Sequence, residues 1–513
     1  MDDKKIVLGI KELKEFEEKT RAFYKGEISK KEYKSYSGKY GSYAQRDGKS
    51  SMIRLRLAGG RLTKEKLRYL VACIETYQIR KVHLTTCQTI QLHDLGIEAV
   101  CGILDSSIRH GIMTLGGGGD YPRNVMAPPL SGIDRKEYFD VLPYAEAAEA
   151  YLLSFLDLKK MPRKLKVCFS SGPTNATHAT FRDLGFVAKP KGTFDVYSAG
   201  GLGPNPKIGI KVAEGVDPSR ILYHICAMRE VFLEYGNYEQ RARARTRYMR
   251  DILGDAGYRQ AYQEKLKEAE RKEELTIHVV PQRIEKKGDG SKASGTRILC
   301  QKQKGLYTVL YHPVGGCPDP SIFRKIYDFI DGVKDAEVRV GPDGTLYVIN
   351  LTGSEARTIL QTTRKGAETP FEASVACIGA EVCQSGVCDS QKLLRNLVEK
   401  VREAGVSARA LPKVHISGCP SSCGTHQIGQ IGFRGGIKMV NQKPVLAYEV
   451  SFFGCERQGK ERMGTSVGSM VETEIPEFLM ELGKEIDQSG LSYEQWEEKH
   501  GDRLFEIAKK YLI

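Results

Sequence analysis

GGRLTKEKLRYLVACIETYQIRKVHLTTCQTIQLHDL, residues 59–95, is written twice in this chain, and the architecture follows from that. It lies without a gap on GGCPDPSIFRKIYDFIDGVKDAEVRVGPDGTLYVINL, residues 315–351. Gly59-Gly60 answers Gly315-Gly316, and apolar residues at helical spacing follow: Leu67, Leu70, Val71 and Ile74 against Phe323, Ile326, Tyr327 and Ile330. An alternating strand comes next, with Val82 and Leu84 against Val338 and Val340, and Arg68/Arg324, Thr89/Thr345 and Leu95/Leu351 are identical. A second ungapped pair places 166–186 on 413–433 through Lys166-Val167/Lys413-Val414, Ser170/Ser417, Pro173/Pro420 and Gly185-Phe186/Gly432-Phe433. Phe194-Asp195-Val196 and Gly200 then answer Tyr448-Glu449-Val450 and Gly454. Two matches in the same order make the chain two copies of a two-part module. Between the copies lie a helical, Lys- and Glu-rich stretch near 258–275 and the polar run Lys286-Lys287-Gly288-Asp289-Gly290-Ser291, where a boundary is expected.

At 513 residues the chain exceeds a single core, and 41% hydrophobic with 28% charged residues is globular composition with no membrane-spanning stretch. Met1-Asp2-Asp3-Lys4-Lys5 carries no export signal, so a cytoplasmic protein is expected. The +14 balance favours anionic partners. Thirteen cysteines in a reducing compartment point to metal or redox chemistry rather than disulfides. The basic run Arg241, Arg243, Arg245, Arg247 reads equally as an anion holder or a solvated helix face.

Cys377, Cys383, Cys388, Cys419 and Cys423 cluster as C-x5-C and C-x3-C around one helix. Asp389 or Ser390 caps that helix, Leu393, Leu394, Leu397, Val398 and Val401 form its apolar stripe, and Gly405 ends it. Both pairs sit in glycine-rich loops, where backbone amides can approach sulfur. Structural zinc sites favour C-x2-C knuckles, so four thiolates around an iron–sulfur cluster fit the spacing better than zinc. Cys388 reads as a small apolar residue. Gly172 and Ala176 stand opposite Cys419 and Cys423, so only the second copy is expected to hold metal. Two rival classes remain: a basic nucleic-acid-binding zinc protein, disfavoured by one Trp and the cysteine spacing, and a metal-binding scaffold without catalysis.

These residues resemble the siroheme-containing nitrite and sulfite reductases over about residues 35–510. The cysteine pattern looks like that family's cluster signature. Further similar stretches are Tyr40-Gly41-Ser42-Tyr43-Ala44-Gln45-Arg46, Ile53 to Gly60, Thr85-Thr86-Cys87-Gln88, Arg123-Asn124-Val125 and Pro162 to Lys166. The resemblance implies an α+β fold. In it, each copy combines a ferredoxin-like half-domain with a mixed α/β domain that binds siroheme and cluster, and pseudo-two-fold symmetry relates the copies. The expected segments are 1–115, 116–282, 297–366 and 367–513, the last carrying the 4Fe-4S cluster. It implies that Cys377, Cys383, Cys419 and Cys423 hold the cluster, with Cys423 also the axial ligand of siroheme. It further implies that Arg54, Arg56, Gln88 and Asn124 contact the cofactor, and that Arg123, Lys164 and Lys166 surround the substrate anion. In a strand beginning near Arg163, residues 164 and 166 point to one side.

Two positions depart from the family pattern. Cys87 replaces an arginine in T-T-R-Q, which leaves Arg46 or Arg61 to fill the space, and Ser421 replaces an asparagine. Lys166 leans toward six-electron reduction of sulfite to sulfide, whereas the missing arginine leans toward nitrite and ammonia; sulfite is preferred. Neither Gly116–Gly119 nor Gly200-Gly201-Leu202-Gly203 forms a nucleotide fingerprint, so the electron donor is expected to be external, an acidic ferredoxin or a separate flavoprotein. No nucleic-acid or membrane partner is expected.

Overall fold

The structure, a computed structural model, describes residues 10–156 and 160–513; Met1 to Lys5, read above for an export signal, lie outside them. The chain is α+β and divides into two units. The larger comprises the described residues up to Gly201, Lys207–Leu310 and Pro318–Arg364; the smaller comprises Leu202–Pro206, Tyr311–Cys317 and Lys365–Ile513.

The repeat is realised element by element. Helix Lys64–Thr76 and strands Val82–Leu84 and Ile90–Leu95 are matched by helix Ser321–Ile330 and strands Glu337–Val340 and Leu346–Leu351. Each strand pair is antiparallel. The glycine pairs adopt the same left-handed turn, with φ of 58° and 72° at Gly59 and Gly60 and of 66° and 70° at Gly315 and Gly316. Close packing adds a second constraint at Gly60, where a Cβ would come within 2.2 Å of the Val340 carbonyl oxygen. Asp94 and Asn350, which correspond, are both left-handed as well, at φ 58° and 60°.

In the larger unit the first antiparallel sheet runs Ser42–Ala44, Ser51–Leu55, Ile90–Leu95, Val82–Leu84. The second runs Ile298–Cys300, Tyr307–Tyr311, Leu346–Leu351, Glu337–Val340 and ends on Arg61–Leu62, a strand lent by the first copy. That loan departs from a strict four-segment division, since 61–62 completes the sheet of 297–366. The helices of the two copies also pack together there. The third sheet, Val167–Ser170, Leu184–Ala188, Phe194–Ser198, Ile210–Val216, is mixed, with its first pair parallel. Every residue of its first two strands is buried, as a parallel pair covered on both faces requires.

The smaller unit repeats the mixed sheet. Val375–Ala376, Val414–Ser417 and Ile431–Val440 are parallel neighbours, and Lys443–Phe452 and Thr465–Val471 extend the sheet antiparallel. His178 and Thr425, equivalent in the alignment, are both left-handed, at φ 58° and 56°, and each opens a 3-10 turn. The helix between the cysteine pairs spans Ser390–Glu403. Asp389 caps it by accepting from the Gln391 and Lys392 amides at 3.1 Å each, and Gly405 is left-handed.

One local expectation changes. The strand expected near Arg163 begins at Val167; before it, Leu165 makes a single bridge to Pro122. The alternation survives, because Leu165 is buried between half-buried Lys164 and Lys166. The polar connection is anchored at Lys286, whose Nζ lies 2.5 Å from a Glu355 carboxylate oxygen and 2.9 Å from the Asn350 carbonyl oxygen.

His224, buried in the core around helix Ile221–Tyr235, is held by burial and by Arg220 at about 4. Its folded value lies below its unfolded one, so the neutral ring's contribution is complete above about pH 6.5 and is lost as pH falls toward 4. We expect unfolding free energy to drop by up to about 3 kcal/mol across that window. His224→Gln should flatten that part of a denaturant-midpoint against pH curve; an unchanged slope would reject the assignment.

Candidate functional site

The larger unit gathers cations around a glycine loop. On strand Ser51–Leu55, Ile53 and Leu55 face the core while Arg54 points to the other side, donating to the Gly117 carbonyl oxygen. Arg123 donates to the Gly117 and Gly119 carbonyl oxygens, both at 2.7 Å, and its own amide donates to Leu165 O at 2.8 Å. That last bond lays Arg123 beside the Lys164–Lys166 segment. Burial, with Arg54 and Arg56 nearby, lowers the Arg123 guanidinium to about 10.

Beneath Lys166 sits Asp183, fully buried, which accepts the Lys166 amide at 2.9 Å and Arg245 Nη2 at 2.8 and 3.0 Å, and bonds the Thr246 hydroxyl. Arg241 pairs with Asp120 at 2.8 Å, where Arg163 also binds at 2.6 Å. The basic run therefore includes two ion-pair partners, exposed Arg241 and half-buried Arg245, and is not simply a solvated face.

Cys87 lies inside this cluster of cations. It packs against Met126, Cys168, Ala179 and Val187, and its carbonyl oxygen accepts from Asn124 Nδ2 at 3.0 Å. Burial pushes its thiol up, but Lys166, which also hydrogen-bonds it, with Arg182 and Arg54, outweighs burial and brings it to about 6. The neighbouring Cys168 thiol, deeper in the core, is pushed up to about 12.

Neither Arg46 nor Arg61 replaces the missing arginine. Arg61 is engaged by Glu337 at 3.0 Å and Glu146 at 3.2 Å, and Arg46 is exposed on a turn. The arginine beside Cys87 is Arg182, buried, bonded to Thr177 O and to His178. Sequence reasoning passed over Arg182 and Asp183, although the repeat carried a signal: they stand opposite Gly429 and Gln430, charge present in one copy only.

Three of the expected cofactor contacts, Arg56, Gln88 and Asn124, bond protein groups in this structure. Arg56 Nε donates to Glu149 at 2.8 Å in a pair that is almost wholly buried, and its Nη1 donates to the Leu115 and Pro122 carbonyl oxygens. Gln88, left-handed at φ 55°, spends its amide on Gly59 O, Ala127 O and Val340 O and accepts from Ala127 N. Asn124 exchanges bonds with both the N–H and the C=O of Leu57 at 2.8 Å. These three staple loops that carry Arg54, Cys87 and Arg123.

In the smaller unit the cysteines occupy one end of the sheet. Cys377 directly follows strand Val375–Ala376, and Cys419 and Cys423 follow the parallel neighbour Val414–Ser417, so both pairs emerge at the carboxyl ends of adjacent parallel strands. The loops are tied together by Cys377 N to Ile416 O at 3.1 Å and by the Gly418 amide donating to Cys377 Sγ at 3.2 Å. The turn through Gly424 needs glycine, since a Cβ would sit 2.0 Å from Ile416 O. Cys388 is fully buried, its Sγ 3.4 Å from the Gly436 carbonyl oxygen, and Cys423 is exposed. Among the described residues no three His, Cys, Asp or Glu side chains close on a single metal ion. The donor chemistry, thiols in glycine-rich loops with an amide directed at sulfur, suits an iron–sulfur cluster.

Comparison with known proteins bears on both centres. Residues 43–106 match the nitrite/sulfite reductase ferredoxin-like half domain, and residues 118–270 match the nitrite and sulphite reductase 4Fe-4S domain. The second match covers the mixed domain of the first copy, a segment whose cysteines are Cys168 and Cys226, so the cysteine quartet lies outside it. Relatives include the chloroplastic ferredoxin–nitrite reductase of Oryza sativa, 27% identical over 75% of this chain and 66% of that enzyme. The ferredoxin–nitrite reductase of Synechococcus elongatus is 24% identical over 84% of this chain and 85% of its own length. A sulfite reductase [ferredoxin] of Mycobacterium tuberculosis is 25% identical over 76% and 70% respectively. The solved structure of Mycobacterium tuberculosis NirA shares the fold, with a TM-score of 0.80 at 21% identity over 96% of this chain and 95% of that one.

Proposed function

This chain belongs to the nitrite and sulfite reductase family of oxidoreductases, and we propose that it reduces sulfite to sulfide with electrons from an external donor. The observation that carries the anion chemistry is a set of cations, Arg54, Arg123 and Lys166, that form no ion pair with a carboxylate among the described residues. Buried or half-buried cations without a carboxylate partner favour an anionic ligand.

The proposed cofactors are a 4Fe-4S cluster, which Cys377, Cys383, Cys419 and Cys423 would hold, and a siroheme, which Cys423 would also help to hold. When bound, they supply single electrons and a coordination site for the substrate atom. The chain's own residues do the rest. Arg123 and Lys166 stabilise oxyanion charge, and Lys164 or Lys166 delivers protons to departing oxygens. Arg54 is the retained candidate for a siroheme carboxylate; Arg56, Gln88 and Asn124 orient the loops. The segments 1–115, 116–282, 297–366 and 367–513 are proposed as the evolutionary parts.

Sulfite is preferred because Lys166 adds a cation that favours a dianion. Nitrite is the second reading, favoured by cysteine at 87. Turnover with a reduced dye separates them: Lys166→Asn should lower the sulfite-to-nitrite ratio of kcat/KM by about tenfold. An unchanged ratio removes the reason for preferring sulfite.

The donor is proposed as a ferredoxin, as the relatives' names suggest, or a separate flavoprotein, attracted by the +14 balance. No helix among the described residues is long and apolar enough to cross a membrane, and a cytoplasmic site of action is proposed.

A further inference from the structure

Arg54, Arg123, Lys166 and Arg182 approach one another without a carboxylate partner among the described residues. Arg54 and Arg123 bond carbonyl oxygens of the glycine loop, and Arg182 bonds Thr177 O and His178. The buried Nε of Arg123 has no partner among the described residues. Asp183 is committed to Arg245, Thr246 and the Lys166 main chain. The Cys87 sulfur, packed against Met126 and Cys168, lies among these cations and can carry negative charge to Lys166.

We propose that Cys87 is the internal counter-ion of this anion pocket: as a thiolate it pairs with Lys166 and competes with the incoming anion for that ammonium, setting which anions are held and over what pH. The proposal rests on the oxyanion reading given above. Where the family pattern has a permanent cation, this chain has a group that is neutral or negative, so the pocket's charge differs by up to two units. A dianion loses more from a neighbouring thiolate than a monoanion does. Cys87 therefore tempers the preference for sulfite that Lys166 creates.

The groups facing the thiol are Lys166 and Cys168 from the strand-entry segment, Arg182 from the 3-10 turn, Arg54 from the first sheet and Arg123 from the loop beside it. Cys168 is pushed up to about 12 by burial, whereas the cations around Cys87 bring its thiol down to about 6. Above about 6 it is a thiolate paired with Lys166; below, it takes a proton and releases Lys166. Anion affinity should rise as pH falls through that value.

Two measurements test this on the purified, cofactor-loaded protein. Alkylation of Cys87 by iodoacetamide, quantified by peptide mass spectrometry between about pH 5 and 8.5, should reach half its maximal rate near 6, and Lys166→Met should move that point up by about a unit or more. KM for nitrite, whose charge is constant over this range, should climb about tenfold between pH 5.5 and 7.5 in the natural protein. It should be flat and lower in Cys87→Ser and Cys87→Ala. An ordinary cysteine profile with half-reaction near about 8.5, or serine and alanine variants that track the natural KM curve, would overturn the proposal. Alkylation needs no turnover. A protein whose Cys87 titrates as stated but which reduces neither anion contradicts the proposed reaction and leaves the counter-ion standing.

Discussion

Cys423→Ser is expected to strip the protein of its iron and its visible chromophore together and to lower turnover by about 10³-fold or more, beyond the 10- to 100-fold typical of changes outside the ligand sphere. Serine preserves the volume of the side chain, and Cys423 is exposed at the end of its loop, so the fold itself has little reason to suffer. A hydroxyl is a poor ligand for iron at neutral pH, where a thiolate is a good one. Cys388→Ser is the matched control. That sulfur is buried in the core with the Gly436 carbonyl oxygen 3.4 Å away, and the variant should keep its iron at a stability cost of about 1 kcal/mol. Iron analysis and the absorption spectrum of the anaerobic protein decide the point. Should Cys423→Ser keep its full iron and colour, the thiolate assignment fails; loss of iron from Cys388→Ser would shift it to a different quartet.

The second large effect is expected at Asp183, far from any cysteine in sequence. Asp183→Ala removes the one carboxylate partner that Arg245 has among the described residues and the acceptor of the Lys166 amide, while leaving both donors buried or half-buried. Breaking such a pair by deleting one member costs about 3–5 kcal/mol. Unfolding by denaturant should register that loss, and turnover should fall with it because the Lys166 main chain loses its anchor. Asp183→Asn, which keeps an acceptor for the amide, should recover a large part of the lost turnover. If Asp183→Ala unfolds at the same denaturant concentration as the natural protein, the ion pair contributes nothing, and the placement of Lys166 has another cause.

Much of the architecture was legible in the chain because repetition is a property of order. Gly59-Gly60 against Gly315-Gly316, and Lys166 to Phe186 against Lys413 to Phe433, needed only alignment, and the structure returns the same turns, helices and strands at both sites. The helix at Ser390–Glu403 was equally readable, since its cap, stripe and terminating glycine are all local signals. The cofactor contacts were less legible. Arg56, Gln88 and Asn124 matched the family stretches, but a motif does not say whether a side chain faces a ligand or its own backbone. Here Glu149, Ala127 O and Leu57 compete for them. The strand at Val167 was drawn too early for a similar reason: Arg163 to Lys166 has strand-like alternation, but only Leu165 finds a ladder partner before Val167.

By itself the sequence determined the duplication, the confinement of the cysteine quartet to the second copy, and the basic residues available for an anion, because each of these is carried by residue identity and spacing. Only the tertiary structure decided which charges are compensated. Among the described residues Arg61, Arg241 and Arg245 found carboxylates at Glu337, Asp120 and Asp183, whereas Lys166 and Arg123 did not, and Cys87 was set among them. Charge neutralisation acts over a few ångströms in space, and the chain brings residues 54, 87, 123, 166 and 182 within that range only by folding.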